Sequence, residues 1–182
     1  MRLLSIIFCF CCIAKLALGQ SITIDSLKQE YDKQYGLNSI LINGKKSSTY
    51  YLDHYGHPFW RSDKEFWADI FLESKRFEAQ RVKYNIEKQE FILNFTNLNG
   101  AEKQIILTPS IVDTIVINEY IFIPNTNKKI KPAYVQLIYS NKVKCTKGWY
   151  KNLVVAKDVS SRSGFKYQKE QVEWYLEGEG ST

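Results

Sequence analysis

Between residues 77 and 124, apolar and polar positions alternate in short runs separated by turn residues, which is the periodicity of β-strands. Phe91, Leu93 and Phe95 fall on one side of an extended chain and Ile92 and Asn94 on the other. The turn Asn97-Leu98-Asn99-Gly100 follows directly, and Asn-Gly suits it because both residues tolerate positive φ. Residues 104–107 should therefore return antiparallel to 91–95, and Pro109, which has no N–H for a ladder, should end that strand. The β-branched run 111–117 turns at Asn118-Glu119 into 120–123, which Pro124 ends. Short loops between successive strands make a meander the economical topology.

The same reading extends outward. Phe77 and Ala79 share one side but Val82, Tyr84 and Ile86 share the other, so the phase switches near Gln80-Arg81, as a β-bulge or bend would make it. Residues 65–72 read as a strand because aromatic side chains dominate. Residues 134–140 and 142–149 read as a hairpin around Asn141, with Val135, Leu137 and Tyr139 on one face and Tyr134, Gln136 and Ile138 on the other. Leu153 opens a short strand, and Phe165, Tyr167, Val172, Trp174 and Leu176 make a last β pattern. One segment has the helical period: Ile24, Leu27, Tyr31 and Tyr35 recur at spacings of three and four, behind a Ser26/Gln29 capping box and ahead of Gly36. It predicts a helix over 27–35 packed on one end of the sheet. The expected fold is mainly β, an antiparallel meander forming a sandwich or open barrel, with a short N-terminal helix.

The N-terminus changes the picture. Arg2, an apolar run over 3–14 and the small-residue end Ala17-Leu18-Gly19 form a secretory signal peptide, cleaved before Gln20. The apolar run is too short for a membrane span, which needs about 20 residues, and no later run is long and apolar enough for one. The expected organisation is a signal peptide over 1–19, one β-rich domain over 20–176 and a disordered tail over 177–182. Export to the periplasm or beyond follows.

Of four cysteines only Cys145 outlasts cleavage, so stability must come from a packed core and not from disulfides. The formal charge of +6 falls to +4 when Arg2 and Lys15 leave. That modest excess, interspersed with acids, describes an ordinary surface and not a nucleic-acid channel.

Candidate chemistry is sparse. Residues 50–60 read YYLDHYGHPFW and hold both histidines. Asp53, His54 and His57 have the ligand types of a zinc site, although no further histidine exists to complete it. The competing reading is a corner whose Tyr55, Phe59 and Trp60 plug the end of the β-structure. Residues 125–132 form a polar loop in which Lys128, Lys129 and Lys131 would offer a surface to an anionic partner. No nucleophile elbow, phosphate-binding loop or dinucleotide fingerprint occurs, and Cys145 has no histidine near it in sequence.

Asn43-Gly44, the pair Tyr50-Tyr51, the run Gly56-His57-Pro58-Phe59-Trp60, the segment 82–86 and the hairpin VDTIVINEYIFIP at 112–124 together resemble a group of exported β-rich proteins of Bacteroidota with no assigned activity. The resemblance covers 40–124 and implies a bacterial envelope location. It carries no catalytic residues across. The leading expectation is an exported, non-catalytic envelope module that binds an unidentified protein or envelope ligand, without a cofactor. The rivals are a metal-dependent hydrolase using Asp53, His54 and His57, and a carrier of an apolar ligand held near Tyr84, Phe91, Phe95 and Trp174.

Overall fold

In the computed structural model the described residues are 24, 26–27, 30–31, 38–47, 55–155 and 164–178. The chain divides into two compact units, Met1–Gly36 and Leu37–Thr182. Of the first, Ile24, Leu27 and Tyr31 are exposed. Most of the expected helix over 27–35 lies outside the described residues, as does the signal segment 1–19.

The second unit is built on a ten-stranded antiparallel sheet that does not close on itself. In chain order its strands are β1 (Lys45–Lys46), β2 (Phe66–Leu72), β3 (Lys75–Asn85), β4 (Glu90–Thr96), β5 (Glu102–Ile106), β6 (Val112–Ile117), β7 (Tyr120–Pro124), β8 (Tyr134–Ser140), β9 (Val143–Tyr150) and β12 (Gln171–Gly178). Between the last two, β10 (Leu153–Val155) and β11 (Phe165–Tyr167) pair as a separate ribbon. The spatial order is β1-β5-β4-β3-β2-β6-β7-β8-β9-β12.

The expected single meander is therefore broken once. β5 lies beside β4 and β1, and the chain crosses from it to β6, which pairs with β2. Two antiparallel stacks, β2 to β5 and β6 to β12, meet along the β2/β6 seam. The crossing segment 107–111 is too short to span four strand spacings of a flat sheet with room to spare: about 19 Å against a reach of about 20 Å. Only its first residue is buried: Leu107 donates its N–H to the Phe91 carbonyl and its own carbonyl accepts from Tyr134 Oη, while residues 108–110 are exposed.

The core shows how strongly the sheet curls. Phe91 on β4 and Tyr134 on β8 are five strand spacings apart in the sheet, about 24 Å if it were flat. Their ring centroids are 4.9 Å apart. Phe122 on β7 meets Tyr84 and Phe91 edge-on, each at 5.4 Å, and Tyr84 stacks on Phe91 at 4.2 Å. These inward rings, with Ile70, Leu93 and Ile115, fill the interior. Full burial of each such side chain is worth about 1.5–3 kcal/mol.

Local chemistry explains the bends. The phase switch of β3 is a bulge: Ala68 faces Gln80 but Ile70 faces Phe77, and Ala79 adopts φ 50°. It sits a little before the expected Gln80-Arg81. Asp69 holds it, accepting bonds from Ala79 N at 3.0 Å and Arg76 Nη2 at 2.7 Å, and the Arg76 bond keeps its carboxyl below the usual range. The β4–β5 loop has its positive φ at Gly100 alone, and Asn97 Oδ1 accepts the N–H groups of Asn99 and Ala101. A second bulge at Ile138 re-phases β8, so Gln136 and Tyr139 point to one side. The expected grouping of Tyr139 with Val135 and Leu137 is thus corrected.

β12 pairs with β9 from Gln171 through Gly178. The expected tail boundary at 177 moves accordingly, because Glu177 and Gly178 face Lys144 and Val143.

Candidate functional site

Three places were open to a functional role: the aromatic segment, the lysine loop and the exposed end of the sheet. The aromatic segment is held from both sides. Pro58 O accepts Ile86 N at 3.0 Å and Trp60 N donates to Tyr84 O at 2.9 Å, so residues 58–60 extend the line of β2 alongside β3. Phe59 and Trp60 are 3% and 1% exposed, and the idea that they form a binding surface is corrected: they are plugs. Trp60 meets Phe66, Tyr120, Phe122 and Trp149 at centroid distances of 5.2–5.9 Å, closing the space between the two strand stacks. Its buried Nε1 has no acceptor, a cost of about 1–3 kcal/mol that the packing outweighs. Tyr55, by contrast, is exposed.

Of the three candidate metal ligands, Asp53 and His54 lie outside the described residues. His57 is half-buried, and its Nδ1 accepts the Phe59 N–H at 3.2 Å, which leaves Nε2 as its free ring nitrogen. Burial and the Lys151 charge hold His57 below its ordinary pKa, while Asp63 and Glu170 pull the other way. No three His, Cys, Asp or Glu side chains converge among the described residues.

Lys151 was not legible in the sequence as part of this corner. It is 8% exposed, donates from Nζ to Phe59 O at 3.1 Å and lies 3.9 Å from Glu170 Oε1. That carboxylate also accepts Arg61 N. Burial lowers the Lys151 pKa. The ammonium clamps the end of β9 to the aromatic segment.

The lysine loop has an internal frame. Asn125 Nδ2 donates to the carbonyls of Asn127, Ile130 and Pro132 at 2.8–3.1 Å, and Asn127 Nδ2 reaches Glu177 on β12 at 2.9 Å. Lys128, Lys129 and Lys131 project from it into solvent. Asn125 and Thr126 also line an open cleft of about 610 Å³, shared with Pro109, Val112, Asp113 and Lys144. One cation and one carboxylate face it, and Asp113 Oδ2 is already bonded to Ser74 N.

The exposed end of the sheet is the third place. Cross-strand pairs put Trp149 beside Val172, Lys147 beside Trp174, Cys145 beside Leu176 and Tyr139 beside Cys145. Trp149 packs inward on Trp60, so all of these belong to the inner face, the one that elsewhere carries the core. Here that face is open: Trp174 is 60% and Leu176 74% exposed, and Val172, Tyr139 and Val143 are exposed too. Lys147 Nζ lies 4.0 Å from the Trp149 ring centroid and 5.1 Å from that of Trp174. Such cation–π contacts set the two indoles on either side of one ammonium.

On the opposite face, Tyr150 donates to the Tyr175 hydroxyl, and Tyr175 in turn donates to Glu173 Oε2 at 2.6 Å. Gly148 makes room for them. A Cβ there would stand 3.0 Å from Tyr175 Cε2 and 3.1 Å from both Pro132 Cγ and Tyr150 Oη.

The residues offered for an apolar-ligand carrier divide along the same line. Tyr84 and Phe91 are fully buried against each other, while Trp174 faces solvent. The period-2 pattern of Val172, Trp174 and Leu176 was legible as a strand, but nothing in it marks the strand as an edge. Comparison with family models, with curated proteins and with solved structures finds no match to this chain.

Proposed function

We propose that this chain is an exported, non-catalytic binding module of a bacterial envelope, an open β-barrel that takes a protein partner on the inner face of β9 and β12. One observation carries the reading: Val172, Trp174, Leu176, Val143 and Tyr139 are exposed together on the face that forms the core everywhere else. Monomeric soluble proteins rarely leave a contiguous apolar surface without a use for it. The curl of the sheet supports the barrel reading, and the leader pattern over 1–19 supports export. A protein partner suits the surface better than a small apolar molecule. The patch lies along an edge strand, where main-chain groups add to side-chain contacts, whereas the enclosed interior is filled by Tyr84, Phe91, Phe122 and Tyr134.

The test is a photo-crosslinking amino acid placed at Trp174, and separately at Trp67 on the outer face, in the full chain expressed from Met1. Trp67 is 64% exposed, so it matches Trp174 in accessibility and differs in face. A discrete protein adduct at 174 and none at 67 is expected. Equal labelling at both positions, or no adduct at 174, would sink the proposal.

A further inference from the structure

The partner on that face can be specified from β12 itself, if the binding-module reading above holds. Among the described residues β12 ends the sheet: it pairs with β9 over its eight residues, and its other edge has no strand beside it. A long edge strand of this kind recruits another strand unless something blunts it, and Gln171–Gly178 contains no proline and no lysine. Its only charges are Glu173 and Glu177.

Those two glutamates select the register. In a continuous antiparallel sheet, residues opposite one another share a face, so a second β12 must pair inner residues with inner ones. With Trp174 opposite its own copy, Val172 meets Leu176, Glu173 meets Tyr175 and Gln171 meets Glu177. Every inner pair is then apolar, and no glutamate faces a glutamate. Moving the two-fold axis to Tyr175 sets Glu173 against Glu177, and moving it to Glu173 sets that carboxylate against itself; like charges directly opposite are destabilising. An axis at Leu176 avoids the clash but shortens the pairing to the C-terminal half of the strand. The strand is therefore self-complementary in one full-length register.

We infer that this chain forms a two-fold homodimer by antiparallel pairing of β12 with β12 of a second copy, Trp174 opposite Trp174, which joins the two sheets and packs the exposed inner-face side chains of each β12 against those of the other. A two-fold interface has to be self-complementary in this way, residue by residue. The occupant of the surface is thus a second copy of the chain.

Sedimentation of the purified full chain and register-specific crosslinking test this. In a background with Cys9→Ser, Cys11→Ser, Cys12→Ser and Cys145→Ser, Trp174→Cys should give a disulfide dimer on mild oxidation, because the two cysteines face each other across the axis. Val172→Cys and Leu176→Cys should each stay uncrosslinked alone and crosslink when the two chains are mixed. The parent should sediment as a dimer, and Leu176→Lys as a monomer that unfolds where the parent does once diluted to monomer, since that side chain is largely exposed. A parent that stays monomeric at about 100 μM overturns the inference, as does a dimer in which Val172→Cys crosslinks alone and Trp174→Cys does not. The crosslinked mass at Trp174 separates the two failures. An adduct that is not twice the chain mass keeps the binding module and rejects the dimer, and no adduct rejects both.

Discussion

Phe122 on β7 and Trp174 on β12 occupy the same inner face of the same sheet, yet one is fully buried and the other is 60% exposed. Neither residue type nor alternation distinguishes them. The difference is what lies opposite: the curl brings Tyr84 of β3 and Phe91 of β4 over Phe122, whereas β12 lies at the margin, past the reach of the core. A strand's apolar face becomes core only when the rest of the sheet folds over it. At β12 that cover has to come from elsewhere.

Substitution measures the contrast most directly. Phe122→Ala should cost about 3–5 kcal/mol in urea unfolding, because the ring contacts Trp60, Tyr84 and Phe91 and the void cannot collapse. Trp174→Ala in dilute solution should cost about 0.5 kcal/mol. Equal losses would break the distinction between the two regions. Next in size, Gly148→Ala should cost about 1–2 kcal/mol by pressing on Tyr175 and Pro132. Its signature is local: amide hydrogen exchange should accelerate in β12 and stay unchanged in β4. Acceleration in both would mean that β12 and the core open as one unit.

The smallest effect is a pH slope. His57 has a folded pKa below its unfolded value of 6.5, so the unfolded chain binds the proton first. The contribution of His57 to stability is complete above 6.5 and is lost as pH falls from there to the folded pKa. The transition temperature should decline over that window, and His57→Gln, which keeps an acceptor for Phe59 N–H, should flatten that decline. An unaltered slope in the variant would assign it to other groups.

Much of the strand inventory was readable because alternation and turn chemistry are local. The hairpin turn at Asn118, with φ 52°, and the β4–β5 loop at Gly100 follow from single residues. The bulge at Ala79 announced itself as a phase change between Phe77 and Val82. What could not be read was anything set by distant contact. The β2/β6 pairing and the clamp of Lys151 on Phe59 depend on which strands meet, and so does the exposure of Val172, Trp174 and Leu176. The plugging role of Phe59 and Trp60, by contrast, was legible in the density of aromatic residues. The alternation of β8 was readable until Ile138, where a bulge without any glycine or proline signal reversed it.

The β2/β6 seam also sets a folding order. Each strand stack can form from neighbouring hairpins, whose loops are short and cheap to close, but the register Asp69↔Val116 joins residues far apart in sequence. That seam is the long-range step, paid for late, and slow folding is expected of a sheet organised this way. Ile70→Val or Ile115→Val should accordingly slow refolding in proportion to the stability lost, while Val172→Ala should act on unfolding alone. The seam is the kinetic hinge between two half-sheets that could each begin to assemble while the chain is still emerging.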